Sequence, residues 1–546
     1  MFCIHMKKLS LLFFIALAYM PVHAQVTIVK SPAIDVTAYH FEIGLSDKTD
    51  SIQGRATVHF TCLSDTQQVA VDLRQPSGKT GFTVSSVRLG KTDLRFEQKS
   101  DRIFIHLAGN AAKNKSLSFV IAYSGIPADG LIISTNKFGK RTFFADNWPN
   151  RAHQWIPCVD DPADKATVEF TVTAPSHYKV ISNGLLVTEQ LAGSGMKRTH
   201  YREEVPLPTK IMVIGVADFA TEQSGKIGSV PVSSWVFPEN QQEGFADYGI
   251  APPILQWMRD YIGPFPYKKL AHVQSKTIFG GMENAGAIFY YENSVNGRVN
   301  NESLIAHETA HQFFGDMVTE QDFSQVWLSE GFATYMTHLY IGSKYGEDSL
   351  SREMAKDRSQ IIAFSRSKKL PVIDTVSKMM DLLNINSYQK GSWILHMLRR
   401  ETGDSLFRLS LREYYRSYAG KNATTTNLKN IFQQVTHKSL DTFFHQWLEI
   451  PGQPDLDIRW SYSIESGLLQ ITIKQQQAQP FSFPLEFEIQ GKDNTKQTIR
   501  FEVSQPRQIF LVPYPSEPLS IRPDPGTSLL FSSVISRKPV MTDPAK

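Results

Sequence analysis

Between residues 25 and 220 apolar and polar positions alternate in short runs, as in Ala56-Thr57-Val58-His59-Phe60-Thr61-Cys62 and Thr167-Val168-Glu169-Phe170-Thr171-Val172-Thr173. Period-two runs separated by turn clusters predict strands of an antiparallel β-sandwich. Near residue 240 the period changes. Phe245, Ile250, Leu255, Trp257 and Met258 fall at helical spacing, and helices are expected over 301–314, 327–344, 347–364, 387–402, 404–419 and 426–448. From Pro451 period two returns. Residues 457–462 and 468–474 read as a hairpin around Glu465-Ser466-Gly467, continued by 483–489 and 498–503. The expected architecture is multidomain α+β. An N-terminal β-sandwich over 25–222 precedes a mainly α domain over 223–450, then a small C-terminal β-sandwich over 451–535 and a loose tail over 536–546.

The first 24 residues fall outside this scheme. Met6-Lys7-Lys8 opens a basic stretch, residues 11–20 are apolar, and small or apolar residues stand before a cleavage point after Ala24. That is the pattern of a secretory signal peptide, so export to a periplasm or the exterior is expected. No later stretch is apolar enough to span a bilayer, so stable membrane insertion is not expected. The 546 residues are 41% hydrophobic and hold 33 Gly and 29 Pro, which excludes a disordered or collagen-like chain. Fifty-seven Lys+Arg against 53 Asp+Glu give a net charge of only +4, with no block of like charge, and no nucleic-acid partner is indicated. Beyond the leader only Cys62 and Cys158 remain, and the sequence does not say whether they pair.

Chemistry concentrates at His307-Glu308-Thr309-Ala310-His311. Asn300 or Asn301 can cap a helix here and Gly315 can end it. Residues four apart share a helix face, so both imidazoles can reach one zinc ion, with Glu308 beside a water on that ion. A catalytic zinc takes three protein ligands. Glu330, 19 residues after His311, lies among Trp327, Leu328, Phe332 and Ala333 on a second helical run. A helix, a turn and an antiparallel helix would bring it back as the third ligand. A carboxylate in such apolar company is costly unless a cation meets it. Two neutral His and one carboxylate leave one Zn²⁺ a positive site that polarises a carbonyl and acidifies its water. Glu308 would take the water's proton and pass it to a leaving amine.

The HExxH with Glu330 after 18 intervening residues resembles the gluzincin peptidases. Gly280-Gly281-Met282-Glu283-Asn284, Val326-Trp327-Leu328-Ser329-Glu330-Gly331 and Tyr388-Gln389-Lys390-Gly391 resemble, in order, three signatures of the aminopeptidase N family, relatives of leukotriene hydrolase. The resemblance implies a thermolysin-like catalytic domain between the two β regions and a zinc-dependent aminopeptidase acting on peptides. It implies that Glu283 holds the substrate's α-ammonium, with Gly280, Gly281, Met282 and Asn284 lining the substrate strand. It also implies that Tyr388 donates to the oxyanion.

Two departures stand out. Ala152 to Pro162 resembles the family's Pro-Cys-x-Asp-x-Pro segment, but the Gln or Glu usual about ten residues before Cys158 is replaced by Trp148, within Asp146-Asn147-Trp148-Pro149-Asn150. Amine recognition would then rest more heavily on Glu283, or on Asp146 through a shifted loop. Cys158 reads as a packed small hydrophobe rather than a nucleophile. The sequence also stops after the small β region, where many relatives add a helical domain, so a more open cleft is expected. Epoxide hydrolysis or endopeptidase action on the same zinc site, and a silent binding scaffold, are the competing functions.

Overall fold

The computed structural model describes residues 33–538; the expected leader, and the tail from residue 539 on, lie outside them. In the strand Ile52–Cys62 every second side chain, from Ile52 through Ala56 and Val58 to Phe60, is buried. The polar alternates face outward, which is why the period-two pattern becomes sheet. This strand pairs antiparallel with Ser116–Ile126 and Ile34–Gly44, and Ile34–Gly44 pairs parallel with Lys165–Pro175, setting Phe41 opposite Phe170. These four belong to an eight-stranded sheet, accompanied by a three-stranded and a four-stranded one. Cys62 and Cys158 are both buried and unpaired. Burial pushes the Cys158 thiol well above its ordinary pKa, which leaves it unreactive.

After Ile214–Ala217 the chain leaves the N-terminal sheets. A five-stranded sheet follows, in the order Ala220–Ile227, Val230–Val236, Leu270–Ser275, Ala287–Tyr291 and Gly281–Met282. Gly281–Met282 is its edge, paired antiparallel with Phe289 and Tyr290. The helices are α1 (Gln241–Tyr248), α2 (Ala251–Tyr261), α3 (Glu302–His311), α4 (Trp327–Tyr345), α5 (Glu347–Ser367), α6 (Gly391–Thr402), α7 (Asp404–Tyr418), α8 (Thr425–Thr436) and α9 (Asp441–Leu448). The helix expected over 426–448 is two. His437 takes a left-handed conformation (φ 56°) that ends α8, and the chain restarts at Asp441. The segment expected over 387–402 opens with a π-type turn, Asn386–Lys390, in which Lys390 N–H donates to Ile385 O. One contact sets the helix packing: a Cβ on Gly331 would lie 2.9 Å from Gly391 Cα, so only glycine lets α4 and α6 meet backbone to backbone.

From Asp455 the chain is again β. Asp455–Ser463 and Leu468–Gln475 form the expected hairpin, flanked by Arg507–Pro513 and Ser532–Arg537. Phe483–Gln490 and Lys496–Val503 do not continue it; with Ser520–Pro523 they build a separate three-stranded sheet. The chain is turned off by Phe481, whose backbone N–H and C=O are both held by the Gln475 side chain and whose ring packs on Trp447. The molecule is thus β-rich at both ends and mainly helical between. Among the described residues no helix is long and apolar enough to cross a membrane.

Two buried histidines couple this fold to pH. His396 Nε2 lies 2.9 Å from Thr527 O, which can only accept, so Nε2 carries the proton and Nδ1 accepts from Tyr335 OH. His272 sits under Tyr290, 2.9 Å from its hydroxyl. Burial lowers both to about 3. The folded state therefore refuses protons that the unfolded chain accepts below pH ~6.5. The contribution of these two histidines to stability is complete above that pH and falls as pH drops, by about 1.4 kcal/mol per unit for each. Thermal unfolding from pH 7.5 to 5.5 should show this slope, and His396→Gln should reduce it by one proton's worth.

Candidate metal centre

Helix geometry places His307 and His311 one turn apart on α3, with their Nε2 atoms 3.1 Å apart and their rings nearly perpendicular at 82°. The helix forms without its expected cap. Asn301 makes no capping bond and instead donates to Ser294 O. Packing of α4 on α3 delivers Glu330, whose Oε2 stands 3.4 Å from His307 Nε2 and 3.2 Å from His311 Nε2. A tetrahedral ion with ligand arms of about 2.0–2.1 Å has ligand–ligand edges of about 3.3 Å. The three donor atoms already have that spacing. Behind them His311 Nδ1 lies 3.2 Å from Phe314 O and 3.1 Å from Ser329 Oγ. The carbonyl fixes the proton on Nδ1 and so turns the Nε2 lone pair toward the centre. The donor set fits a divalent transition metal.

The charges ask for the same thing. Glu283, Glu308 and Glu330 are all buried around these two imidazoles. Burial opposes a charge on His311, but Glu330, Glu283 and Glu308 outweigh it and push the imidazole up to about 10. Glu330 is held far down: burial works against its charge, and His311 and His307 overcome that. Glu308 is driven up by burial and by the neighbouring carboxylates Glu283 and Glu330, which raises its proton affinity. A cluster with this excess of anions is stabilised by a cation.

Glu283 is carried on the loop that follows the edge strand. Gly281 runs so close to α3 that a Cβ there would sit 2.2 Å from Glu308 Oε1. The loop is braced from two sides. On α3's extension Gln312 donates to Glu283 O, accepts from Gly286 N–H at 2.8 Å, and is itself held by Asp316 at 2.9 Å. From the N-terminal β region Asp146 accepts from Thr277 Oγ1 and Ile278 N–H, both at 2.9 Å, and Asn183 donates to Ala285 O. The other Asp146 oxygen takes Arg151 at 2.6 Å. Asp146 therefore braces the loop, with both oxygens hydrogen-bonded, and is not among the residues that line the cavity described below. Glu283 Oε1, by contrast, is buried with no hydrogen-bond partner among the described residues, as are both side-chain atoms of Asn284.

Tyr388, on the π-type turn, lays its ring parallel to His307 at 6.0 Å. Burial, then Glu330, Glu283 and Glu308, raises its phenol well above its ordinary pKa, so it stays a donor. His307, Glu308, Glu283, Glu330 and Tyr388 surround a cavity of about 250 Å³ whose apolar walls include Trp148, Phe279, Leu304 and Leu383. Gly280, Gly281 and Met282 form its strand edge. Sequence reasoning passed over Gln312, Ser329 and Asn183. Gln312 had one available signal, a polar side chain set against the apolar pair Phe313-Phe314.

A larger cavity, about 540 Å³, lies between α6, α9 and the C-terminal sheets, away from these groups. A further His40–Glu169–His200 group crosses three N-terminal strands. Its rings stack at 5.7 Å, their Nε2 atoms go to different partners, Thr171 and Glu169, and Arg202 also holds Glu169. That is an ion-pair ladder, not a convergent ligand set.

Comparison with known proteins agrees with this geometry. The peptidase family M1 domain matches residues 247–447 and the peptidase M1 N-terminal domain matches residues 36–211, together more than half of the chain. The leucyl aminopeptidase of Saccharolobus solfataricus is 25% identical over 511 residues, covering 86% of this chain and 61% of that protein. A probable aminopeptidase of Sulfurisphaera tokodaii is 24% identical over 488 residues, covering 84% and 59%. Aminopeptidase M1-C of Oryza sativa subsp. japonica is 28% identical over 325 residues, covering 56% and 37%. The chain belongs to the M1 peptidase family. It spans between 37% and 61% of the length of these three relatives.

The geometry predicts graded metal affinity. Competition against a chromophoric chelator should show His311→Ala without a tight site. Ser329→Ala, which removes only the group behind His311, should keep the site but weaken it about tenfold.

Proposed function

We propose that the protein is a zinc-dependent aminopeptidase that removes the N-terminal residue of peptides. The observation that carries this reading is the buried, unpartnered Glu283 Oε1 beside the His307–His311–Glu330 set in one cavity. A lone carboxylate oxygen in that position suits a substrate α-ammonium, and the fixed separation between it and the donor set selects the first peptide bond. The aminopeptidase names of the relatives support the same assignment.

Two imidazoles and one carboxylate are the ligand set of catalytic zinc. When bound, zinc supplies a Lewis acid for the scissile carbonyl and a water made nucleophilic at neutral pH. The chain's own groups do the rest. Glu283 anchors the amine. The free edge of Gly281–Met282 takes the substrate backbone as an added strand. Glu308, with its raised proton affinity, accepts the water's proton at its carboxylate and gives it to the leaving amine. Tyr388, a neutral donor, hydrogen-bonds the oxygen that becomes negative as the carbonyl carbon turns tetrahedral.

Around this site we infer a thermolysin-like unit set between two β-sandwiches. The pattern of residues 1–24 supports export to a periplasm or the exterior, and the weak net charge suits peptides rather than nucleic acid.

Release of an arylamine from free aminoacyl-arylamides and their N-acetylated twins tests the reading. Only the free-amine series should react, and a zinc chelator should stop it. Equal rates on the blocked series would mean an endopeptidase, and no turnover by zinc-loaded protein would overturn the assignment. Glu308→Gln should lower kcat by about 10²–10⁴ with metal retained. Tyr388→Phe should lower kcat by about 10²–10³ with little change in KM.

A further inference from the structure

The cavity holding Glu283 and the metal ligands ends against Trp148. That side chain is only 3% exposed, and it meets Phe279 edge-on at 6.1 Å on one side and Phe323 edge-on at 5.8 Å on another. Phe323 belongs to a different space. It lines a second groove, of about 410 Å³, on the far side of Trp148. The neighbours Leu382 and Leu383 divide the same way, Leu382 facing the groove and Leu383 the cavity. A wall two side chains deep, Trp148 backed by Phe323 and Leu383 beside Leu382, thus separates the two spaces.

The groove beyond is acidic. Asp161, Asp322 and Asp374 line it, and no Lys or Arg does. Each aspartate spends one oxygen on its own turn: Asp161 on Ala163 N–H, Asp322 on Ser324 N–H, and Asp374 on Val376 and Ser377 N–H. Asp374 Oδ2 is left buried and without a partner among the described residues. A peptide extended past Trp148 would bring its ammonium into this negative field, so charge does not prevent a longer N-terminal segment from binding. The aromatic wall does.

We propose that Trp148, backed by Phe323, is the stop that limits cleavage to a single residue, and that a shortened wall lets a dipeptide occupy cavity and groove together. The inference rests on the aminopeptidase reading. It concerns which bond is presented, not how it is hydrolysed. In both cases water adds to the carbonyl carbon and the C–N bond breaks, with the proton from Glu308 going to the departing amine.

The test uses the full chain loaded with zinc and four substrates: Ala-arylamide, Lys-Ala-arylamide, Ala-Ala-arylamide and N-acetyl-Ala-arylamide. Initial products are identified by mass, so that release of intact Lys-Ala is distinguished from stepwise loss of Lys and then Ala. The wild type should release single residues and reject the acetylated substrate. Trp148→Ala and the bulkier Trp148→Leu should each raise the share of intact dipeptide by about tenfold or more. The gain should be larger for Lys-Ala than for Ala-Ala, because the groove is acidic. Variants that hold zinc and cleave Ala-arylamide with an unchanged dipeptide share would overturn the proposal. Should both Trp148 variants fail to fold, Trp148→Phe decides, since it keeps an aromatic ring but shortens the wall itself, and an unchanged dipeptide share in it would overturn the proposal. A wild type inactive on Ala-arylamide would instead sink the aminopeptidase reading, and this inference with it.

Discussion

Three carboxylates and two imidazoles share a buried space, and mutual repulsion among the carboxylates is the constraint that the surrounding structure answers. Glu283, Glu308 and Glu330 cannot be held there as anions by apolar packing alone. Each is fixed by a different element: Glu308 by α3, Glu330 by α4 and Glu283 by the loop after the edge strand. Much of the neighbouring architecture reads as a means of keeping those elements close. Gly281 yields the space that the Glu308 carboxylate occupies, and Gly331 against Gly391 brings α4 in tight. Gln312 ties the loop to the helix it must not leave. A cation held by this set would be local and strongly bound.

The N-terminal β region is part of this arrangement. Asp146 and Asn183 reach across to the Glu283 loop, and the buried pair Lys210–Glu320 crosses the same boundary. Lys165 adds three contacts, to the carbonyls of Asp316, Met317 and Lys421. An ion pair with both partners about 1% exposed resists separation, because opening the boundary would leave each charge unpaired in a poor solvent until water entered. The β region is thus a wall of the site as well as a neighbour to it.

How much of this could be read from the sequence follows from range. His307 and His311 are four residues apart, so helix geometry alone puts their nitrogens within reach of one ion. Glu330 needed one further helix, legible from Trp327, Leu328 and Phe332. The alternation in 52–62 and the hairpin at Glu465-Ser466-Gly467 were equally local. What escaped was set by single backbone angles or by distant partners. The break at His437 turns on one positive φ that a helical pattern does not announce. The departure of Phe483–Gln490 into its own sheet depends on Gln475 gripping Phe481. Asp146 and Asn183 act on partners 131 and 102 residues away, and no periodicity marks such pairs. Asp146 could be noticed beside Trp148, but only the fold shows that its oxygens are already taken.

That separation along the chain also fixes an order of events. Contacts between distant segments form late in folding, because the loops that close them must first lose their conformational freedom. The pairing of His307 with His311 within α3 is local, four residues apart. The Glu283 loop gains its braces only when residues 146 and 183 have docked against it. The surroundings of Glu283 are therefore complete only once segments more than a hundred residues apart have docked.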